Sequence, residues 1–364
     1  MTLASPITIG AHRAPSRLVF GPHETNLSDG RALSDRHVAY YARRAAGGAG
    51  VIIVETASVT ANDWPYERAP LAASCVAGWR SIGQACLPYG TLVLAGIGHA
   101  GGQGSSAYSQ EAMWAPSAVA DVVSREPPAV LDRRGIDELV GAFAAAARRA
   151  VESGLAGVEV DAGAYSLLRQ FHSGLTNLRA DEFGTDRLLF SRMVLEAVRD
   201  AVGPSAVVAL RLSCDELAPW AGVTPDHAAE MVAALAPMID LLTVVRGGPF
   251  SVGAYRPEAH TEAGFNRDLC ARMKAAAGGS LPVVLQGSVV DPAMAEAALT
   301  DGLCDLVEMT RAQIADADLL AHWSAGHRPR PCILCNQACK VRDPRNPIVS
   351  CVVDPSSGYE ASSP

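Results

Sequence analysis

Short apolar, β-rich runs alternate with amphipathic stretches along most of this chain. Eight runs stand out: Leu18–Phe20, Val51–Glu55, Leu92–Ile97, Gly157–Asp161, Val207–Leu212, Leu241–Val245, Val283–Gln286 and Asp305–Met309. Their apolar residues are mostly contiguous, the pattern of strands buried on both faces of a parallel sheet. Between them lie stretches of helical period. Asp137–Ser153 carries Leu139, Val140, Phe143, Ala147, Ala150 and Val151, and Gly154 stops it. Leu188–Val202 runs into Gly203-Pro204, while Thr224-Pro225 and Asp291-Pro292 each read as an N-cap followed by proline at the first helical position. Repeated strand–helix units imply right-handed crossovers and a parallel sheet. The pattern predicts an α/β protein, and eight units predict closure into a (β/α)8 barrel. An open doubly wound sheet is the alternative, but no G-x-G-x-x-G follows the first strand. The long, helix-poor stretch Gly98–Pro128 follows the third strand, on the C-terminal face of a barrel where active sites form.

Length alone suits two average domains or one barrel at 364 residues, and a hydrophobic content of 49% is ample for a large core. A formal net charge of −8 removes electrostatic support for binding nucleic acid. Met1–Gly10 lacks a basic region followed by an apolar core, and no apolar run approaches membrane-spanning length. A soluble, cytoplasmic protein is expected.

The cysteines change the picture more. Cys75, Cys86, Cys214, Cys270 and Cys304 are scattered singly, as small buried hydrophobes are. Cys332, Cys335, Cys339 and Cys351 are crowded together near the end, with spacing C-x2-C-x3-C-x11-C. Four thiolates so arranged suit a cubane 4Fe–4S cluster, in which each corner iron takes one cysteine. A structural zinc site is the alternative, although that usually shows two separated C-x-x-C pairs or histidines at matching spacing. The expected organisation is therefore a barrel over 1–327 and a cluster-binding segment over 328–364.

The segment PCILCNQACKVRDPRNPIVSCVVDP resembles the cluster-binding segment of the 2,4-dienoyl-CoA reductase and trimethylamine dehydrogenase group of the Old Yellow Enzyme superfamily. The likeness extends back over nearly the whole chain, through RLVFGPHETNL, IGHAGGQG, GVEVDAGAYSLLRQF, LRLS and DLVEMTRAQIADADL. FGPHETNL is also similar to Old Yellow Enzyme-like members of mycofactocin systems. The resemblance implies a TIM barrel with FMN across its mouth. Arg211 would lie beside the flavin pyrimidine ring, its alternative being a structural ion pair. Arg311, with Gly287 and Ser288, would bind the phosphate, and Met309 belongs to the same stretch. Pro22, His23 and Glu24 would approach the reactive edge. Glu24 stands where trimethylamine dehydrogenase-like members carry a flavin-linked cysteine, so the FMN is expected to be non-covalent.

Several positions depart from the family pattern. Gly96 replaces a flavin-contacting glutamine. Asp161 and Ala164 replace a carbonyl-binding pair, and Ser166 replaces a proton-donating tyrosine, with Tyr165 adjacent but expected to point elsewhere. No histidine appears in 246–256 to match the one dienoyl-CoA reductases use there. Asp161 instead suits a cationic or hydroxylated substrate, with His99 and His172 as helpers unless they are structural. The expected activity is hydride transfer between FMN and a small molecule, with the cluster exchanging electrons with a separate NAD(P)H reductase or electron-transfer protein. The FAD- and NAD(P)H-binding domains of longer members are not encoded in these residues, so the chain is either served by such a partner or is a fragment. A homo-oligomer is possible on this reading. Alternatives are a non-catalytic flavin and iron–sulfur carrier, a zinc-stabilised barrel, or an ordinary enone reductase.

Overall fold

A computed structural model describes residues 1–248, 250–341 and 347–362. All eight expected strands form, and they close into one parallel barrel in the order six, seven, eight, one, two, three, four, five. Their observed bounds are Leu18–Phe20, Val51–Ser58, Leu92–Gly98, Gly157–Ala162, Val207–Ser213, Leu241–Val245, Val283–Leu285 and Leu306–Glu308. Inward side chains at the N-terminal end, among them Val19, Val51, Ile53, Leu94, Leu241 and Leu306, fill the interior. That layer is closed from below by a hairpin absent from the sequence reading, Ile7–Ile9 paired with His12–Ala14, which contributes Ile9 and Ala14.

Helix ends follow the capping signals. Asp132 accepts from the Gly135 N–H at 2.7 Å and starts the helix at Arg133, one turn earlier than the apolar period suggests. Thr224 and Asp291 are N-caps, each with proline next in the helix. In the stretch after strand three, a short strand Trp114–Ala115 pairs with Ala129–Val130. Among the described residues, no helix is long and apolar enough to cross a membrane.

The cysteine-bearing segment folds back against the barrel. The Asn26 amide donates to the carbonyls of Val341 (3.1 Å) and Pro347 (2.8 Å), and Val349 N–H donates to Thr25 O at 2.8 Å. Arg44, buried beneath the tail, donates to Glu360 and, at 2.6 Å, to Ser357 Oγ. The segment is thereby fastened to the turn after strand one, the turn expected to meet the flavin.

Candidate active site at the barrel mouth

Two cavities adjoin at the C-terminal end of the strands. They share Pro22, His23, Arg211 and Tyr255, so together they form one cleft across the barrel. The first is lined by Glu24, Glu55, Asp63, His99, Asp161 and Tyr165, among others. The second carries Arg256, Gly287, Ser288, Arg311 and Cys339.

Arg211 and Asp161 stand side by side in the register of strands five and four. Arg211 Nε donates to Glu159 at 2.8 Å and Nη2 to Glu308 at 2.5 Å. Burial works against this cation, but the two carboxylates outweigh it and hold the guanidinium charged. It lines both cavities as well, so the ion pair and the cofactor role are compatible rather than exclusive. Burial pushes the Asp161 carboxyl above the usual range, opposed by the Gly163 N–H (2.8 Å) and by Arg211 and Arg169.

His99 Nδ1 accepts from the Gly101 N–H at 2.9 Å, which leaves the proton on Nε2. Among the described residues that Nε2 is buried without a protein partner, and burial lowers the ring's pKa, so His99 presents a neutral donor needing an acceptor. His23 bonds Tyr40 OH at 2.8 Å and Gly21 O at 3.0 Å, and burial lowers its pKa to about 4.

Other candidates are corrected by their surroundings. His172 turns away from the cleft, bonds Ser191 Oγ at 2.7 Å, and is lowered by burial to about 3. It is a structural residue. Ser166 caps the helix Leu167–His172 by accepting from Arg169 N–H. Because that helix starts only at Leu167, Tyr165 stays in the preceding turn and does line the first cavity, edge-on to Tyr255 with ring centroids 5.0 Å apart. Met309 is buried in the apolar layer around the barrel and lines neither cavity.

At the other end, Gly287 (φ +144°) and Ser288 (φ +57°) make a turn that an ordinary side chain at 287 would block, 2.8 Å from Asn266 Cβ. Arg311 donates to Ser288 Oγ (2.6 Å), Pro257 O (2.6 Å) and Asn336 Oδ1 (2.9 Å). Asn336 lies beside Cys335 and donates in turn to Arg256 O at 2.9 Å. The four cysteines are all partly exposed, and Leu334 N–H donates to Cys332 Sγ at 3.4 Å. Burial pushes the Cys332 and Cys339 thiols up, so thiolates here call for a cation. No three of the four sulfurs lie within 4.8 Å of one another; among the described residues only Asp316, Asp318 and His322 converge so closely.

Sequence reasoning did not single out Glu55, Asp63, Tyr66, Tyr255, Glu159 or Glu308. Glutamates inside apolar strands (V-E-V, V-E-M, V-E-T) were a usable signal, because a buried carboxylate needs partners. Tyr255 ends the four-residue helix Val252–Tyr255 and carried none.

The cleft fits FMN. It offers two adjoining cavities sharing Arg211, further arginines in the second, a neutral donor in the first, and a glycine turn beside Arg311. Residues 2–328 match the NADH:flavin oxidoreductase / NADH oxidase family. A metal reductase of Desulforamulus reducens is 31% identical over 365 residues, covering 99% of this chain and 54% of that protein. N,N-dimethylglycine/sarcosine dehydrogenase of Chromohalobacter salexigens is 30% identical over 358 residues, covering 92% of this chain and 50% of its own. The chain thus spans about half the length of these relatives. Among solved structures, 2-naphthoyl-CoA reductase with 2-naphthoyl-CoA superposes with TM-score 0.93 at 25% identity, over 99% of this chain and 58% of that one. Histamine dehydrogenase from Rhizobium sp. 4-9 gives 0.89 at 26% identity, over 99% and 53%. The chain belongs to the NADH:flavin oxidoreductase / NADH oxidase family, and it is an FMN-dependent oxidoreductase of the Old Yellow Enzyme and trimethylamine dehydrogenase group.

Proposed function

We propose that this protein oxidises a small amine- or hydroxyl-bearing substrate held by Asp161. Electrons then leave singly through a 4Fe–4S cluster on Cys332, Cys335, Cys339 and Cys351 to a separate carrier or reductase. The observation carrying the reading is the charge of the first cavity. Glu24, Glu55, Asp63 and Asp161 line it, and its one arginine, Arg211, is engaged by Glu159 and Glu308. Such a wall complements a cation or a hydroxyl donor and repels a developing enolate. The rings of Tyr66, Tyr165 and Tyr255 add faces suited to an ammonium group. The names of two relatives agree: dimethylglycine/sarcosine dehydrogenase and histamine dehydrogenase act on amines.

FMN, when bound, supplies the acceptor for the substrate hydride. Pro22, His23 and Arg211 would border it, His99 Nε2–H would donate to it, and Ser288 and Arg311 would hold its phosphate. Asp161 orients the substrate and takes the N–H or O–H proton, its raised pKa bringing it nearer the pH at which a general base works. Tyr165 and Tyr255 close that side against water.

The spacing Cys332-x2-Cys335-x3-Cys339-x11-Cys351 supports a cluster over zinc, because a structural zinc site usually shows two separated C-x-x-C pairs or histidines at matching spacing. Cys339 also borders the second cavity, which makes the electron path short.

The test is anaerobic stopped-flow absorbance. Amines or alcohols should bleach the oxidised flavin, with an acid limb above the ordinary carboxylate range, and Asp161→Asn should abolish that limb without altering flavin content. Tyr165 lining the cavity favours a second reading, ordinary enone reduction with Tyr165 as proton donor. Rapid reoxidation of reduced flavin by cyclohexenone, unaffected by Asp161→Asn, would establish that reading instead. Absence of any substrate-dependent bleaching would leave a pure electron carrier.

A further inference from the structure

Three arginines line the second cavity, and they differ in what holds them. Arg211 is matched by Glu159 and Glu308. Among the described residues Arg311 donates only to neutral oxygens, those of Ser288, Pro257 and Asn336. Arg256 has less still. Among the same residues no carboxylate pairs with it, and its guanidinium carbon lies 6.0 Å from the centre of the Tyr255 ring. Burial and, against the cysteines, the charge of Arg256 both disfavour the Arg311 cation. Two half-buried cations on one cavity, neither matched by an acid, call for more than one anion. FMN phosphate at the Gly287–Ser288 turn answers Arg311 alone.

The backbone shows which way Arg256 belongs. It follows the short helix Val252–Tyr255, and its carbonyl accepts from the amide of Asn336, the neighbour of Cys335, at 2.9 Å. Pro257, next in the chain, accepts from Arg311 at 2.6 Å, and Arg311 reaches the same Asn336 at 2.9 Å. The loop after strand six is thereby stitched to the cysteine segment at Arg256, and the Arg256 side chain shares the second cavity with Cys339. Burial pushes the Cys339 thiol up; the charge of Arg256 is the largest opposing it, ahead of that of Arg311.

We propose that Arg256 is the counter-charge of the cluster held by Cys332, Cys335, Cys339 and Cys351, placed on the flavin side so that it favours the cluster's reduced form. The proposal rests on the cluster reading of those cysteines. Four thiolates leave such a cluster net negative, and one electron arriving from reduced FMN adds a further negative charge, which a neighbouring cation stabilises. The test is an anaerobic redox titration of reconstituted holoprotein, the cluster read by electron paramagnetic resonance and the flavin by absorbance. Iron content and FMN affinity are measured alongside. Arg256→Gln should lower the cluster's midpoint potential by the equivalent of about tenfold in its reduction equilibrium, or about 59 mV for one electron. FMN affinity should stay within about twofold of wild type, since no phosphate contact is lost. Arg256→Lys keeps the charge and should recover most of the shift. The proposal is overturned if Arg256→Gln moves that equilibrium by less than about twofold. It is equally overturned if FMN weakens by about tenfold or more with the cluster potential unmoved, which would put the arginine on the phosphate. Should Arg256→Gln hold no iron, Arg256→Lys decides: wild-type iron and a near-wild-type potential support the proposal, and loss of iron there too overturns it. No iron in the reconstituted wild type would refute the cluster, and this proposal with it.

Discussion

Replacing Arg311 by alanine tests the phosphate end of the cleft most directly. A guanidinium has five N–H donors. Among the described residues three are committed, to Ser288 Oγ, Pro257 O and Asn336 Oδ1. Among the same residues, one Nη2–H and the Nε–H are left for a ligand, enough for a two-point contact with phosphate. Burial, and then the charge of Arg256, lower the Arg311 pKa against the nearby cysteines, so a dianion arriving beside it gains strongly. Hydrogen bonds to charged groups are worth about 1.5–3 kcal/mol, so Arg311→Ala should weaken FMN roughly ten- to hundred-fold. Arg311→Lys, with a point charge and no fork, should fall between. The assay is the anaerobic fluorescence titration, with iron content measured in parallel, because losing the bond to Asn336 also loosens the cysteine segment. FMN affinity within twofold of wild type for Arg311→Ala would refute the phosphate assignment, whatever happens to the iron.

Two further outcomes follow from the same geometry. Anaerobically prepared protein should contain about four irons per chain, lost in Cys335→Ser and Cys339→Ser; stoichiometric zinc without iron after anaerobic reconstitution would contradict the cluster. His172 and His23 are held neutral in the fold, with pKa lowered to about 3 and about 4. The unfolded chain therefore binds more protons between those values and about 6.5, so their contribution to stability is lost as pH falls through that window. In urea unfolding, His172→Gln should show a shallower acid decline than wild type, and an identical decline would argue that His172 does not stay neutral in the fold.

The barrel was legible because strands buried on both faces carry contiguous apolar residues, and because Thr224-Pro225 and Asp291-Pro292 announce helix starts. Strand ends were less so. Strands two and five run on to Ser58 and Ser213, since polar side chains enter where strands reach the mouth and break the apolar run. The N-terminal hairpin has only three residues per strand, too few for a period. Individual orientations were the least legible. Tyr165 faces the cleft because the helix after it begins at Leu167, and His172 leaves it because that helix packs its last turn on Ser191. Neither fact follows from spacing alone, and a β-bulge in strand two, which brings Glu55 and Thr56 inward together, is invisible without the register of two strands.

Several departures from the family pattern fall at one end of the cleft. Asp161 and Ala164 line the first cavity, and Gly96 adjoins Thr56 in its wall, whereas Gly287, Ser288 and Arg311, which match the pattern, line the second. A change of cofactor would alter the phosphate end, where charge and turn geometry are most demanding. A change of substrate alters the other end alone. On the proposed reading, a carboxylate at Asp161, where the family resemblance implies a carbonyl-binding pair, would invert what the wall favours, from an oxygen gaining negative charge to a nitrogen or hydroxyl surrendering a proton. Arg211 does not restore the balance, because Glu159 and Glu308 already neutralise it. On the proposed reading, a barrel that surrounds its substrate with acids would withdraw electrons from donor-rich molecules, and a cluster held by the four cysteines would carry those electrons away.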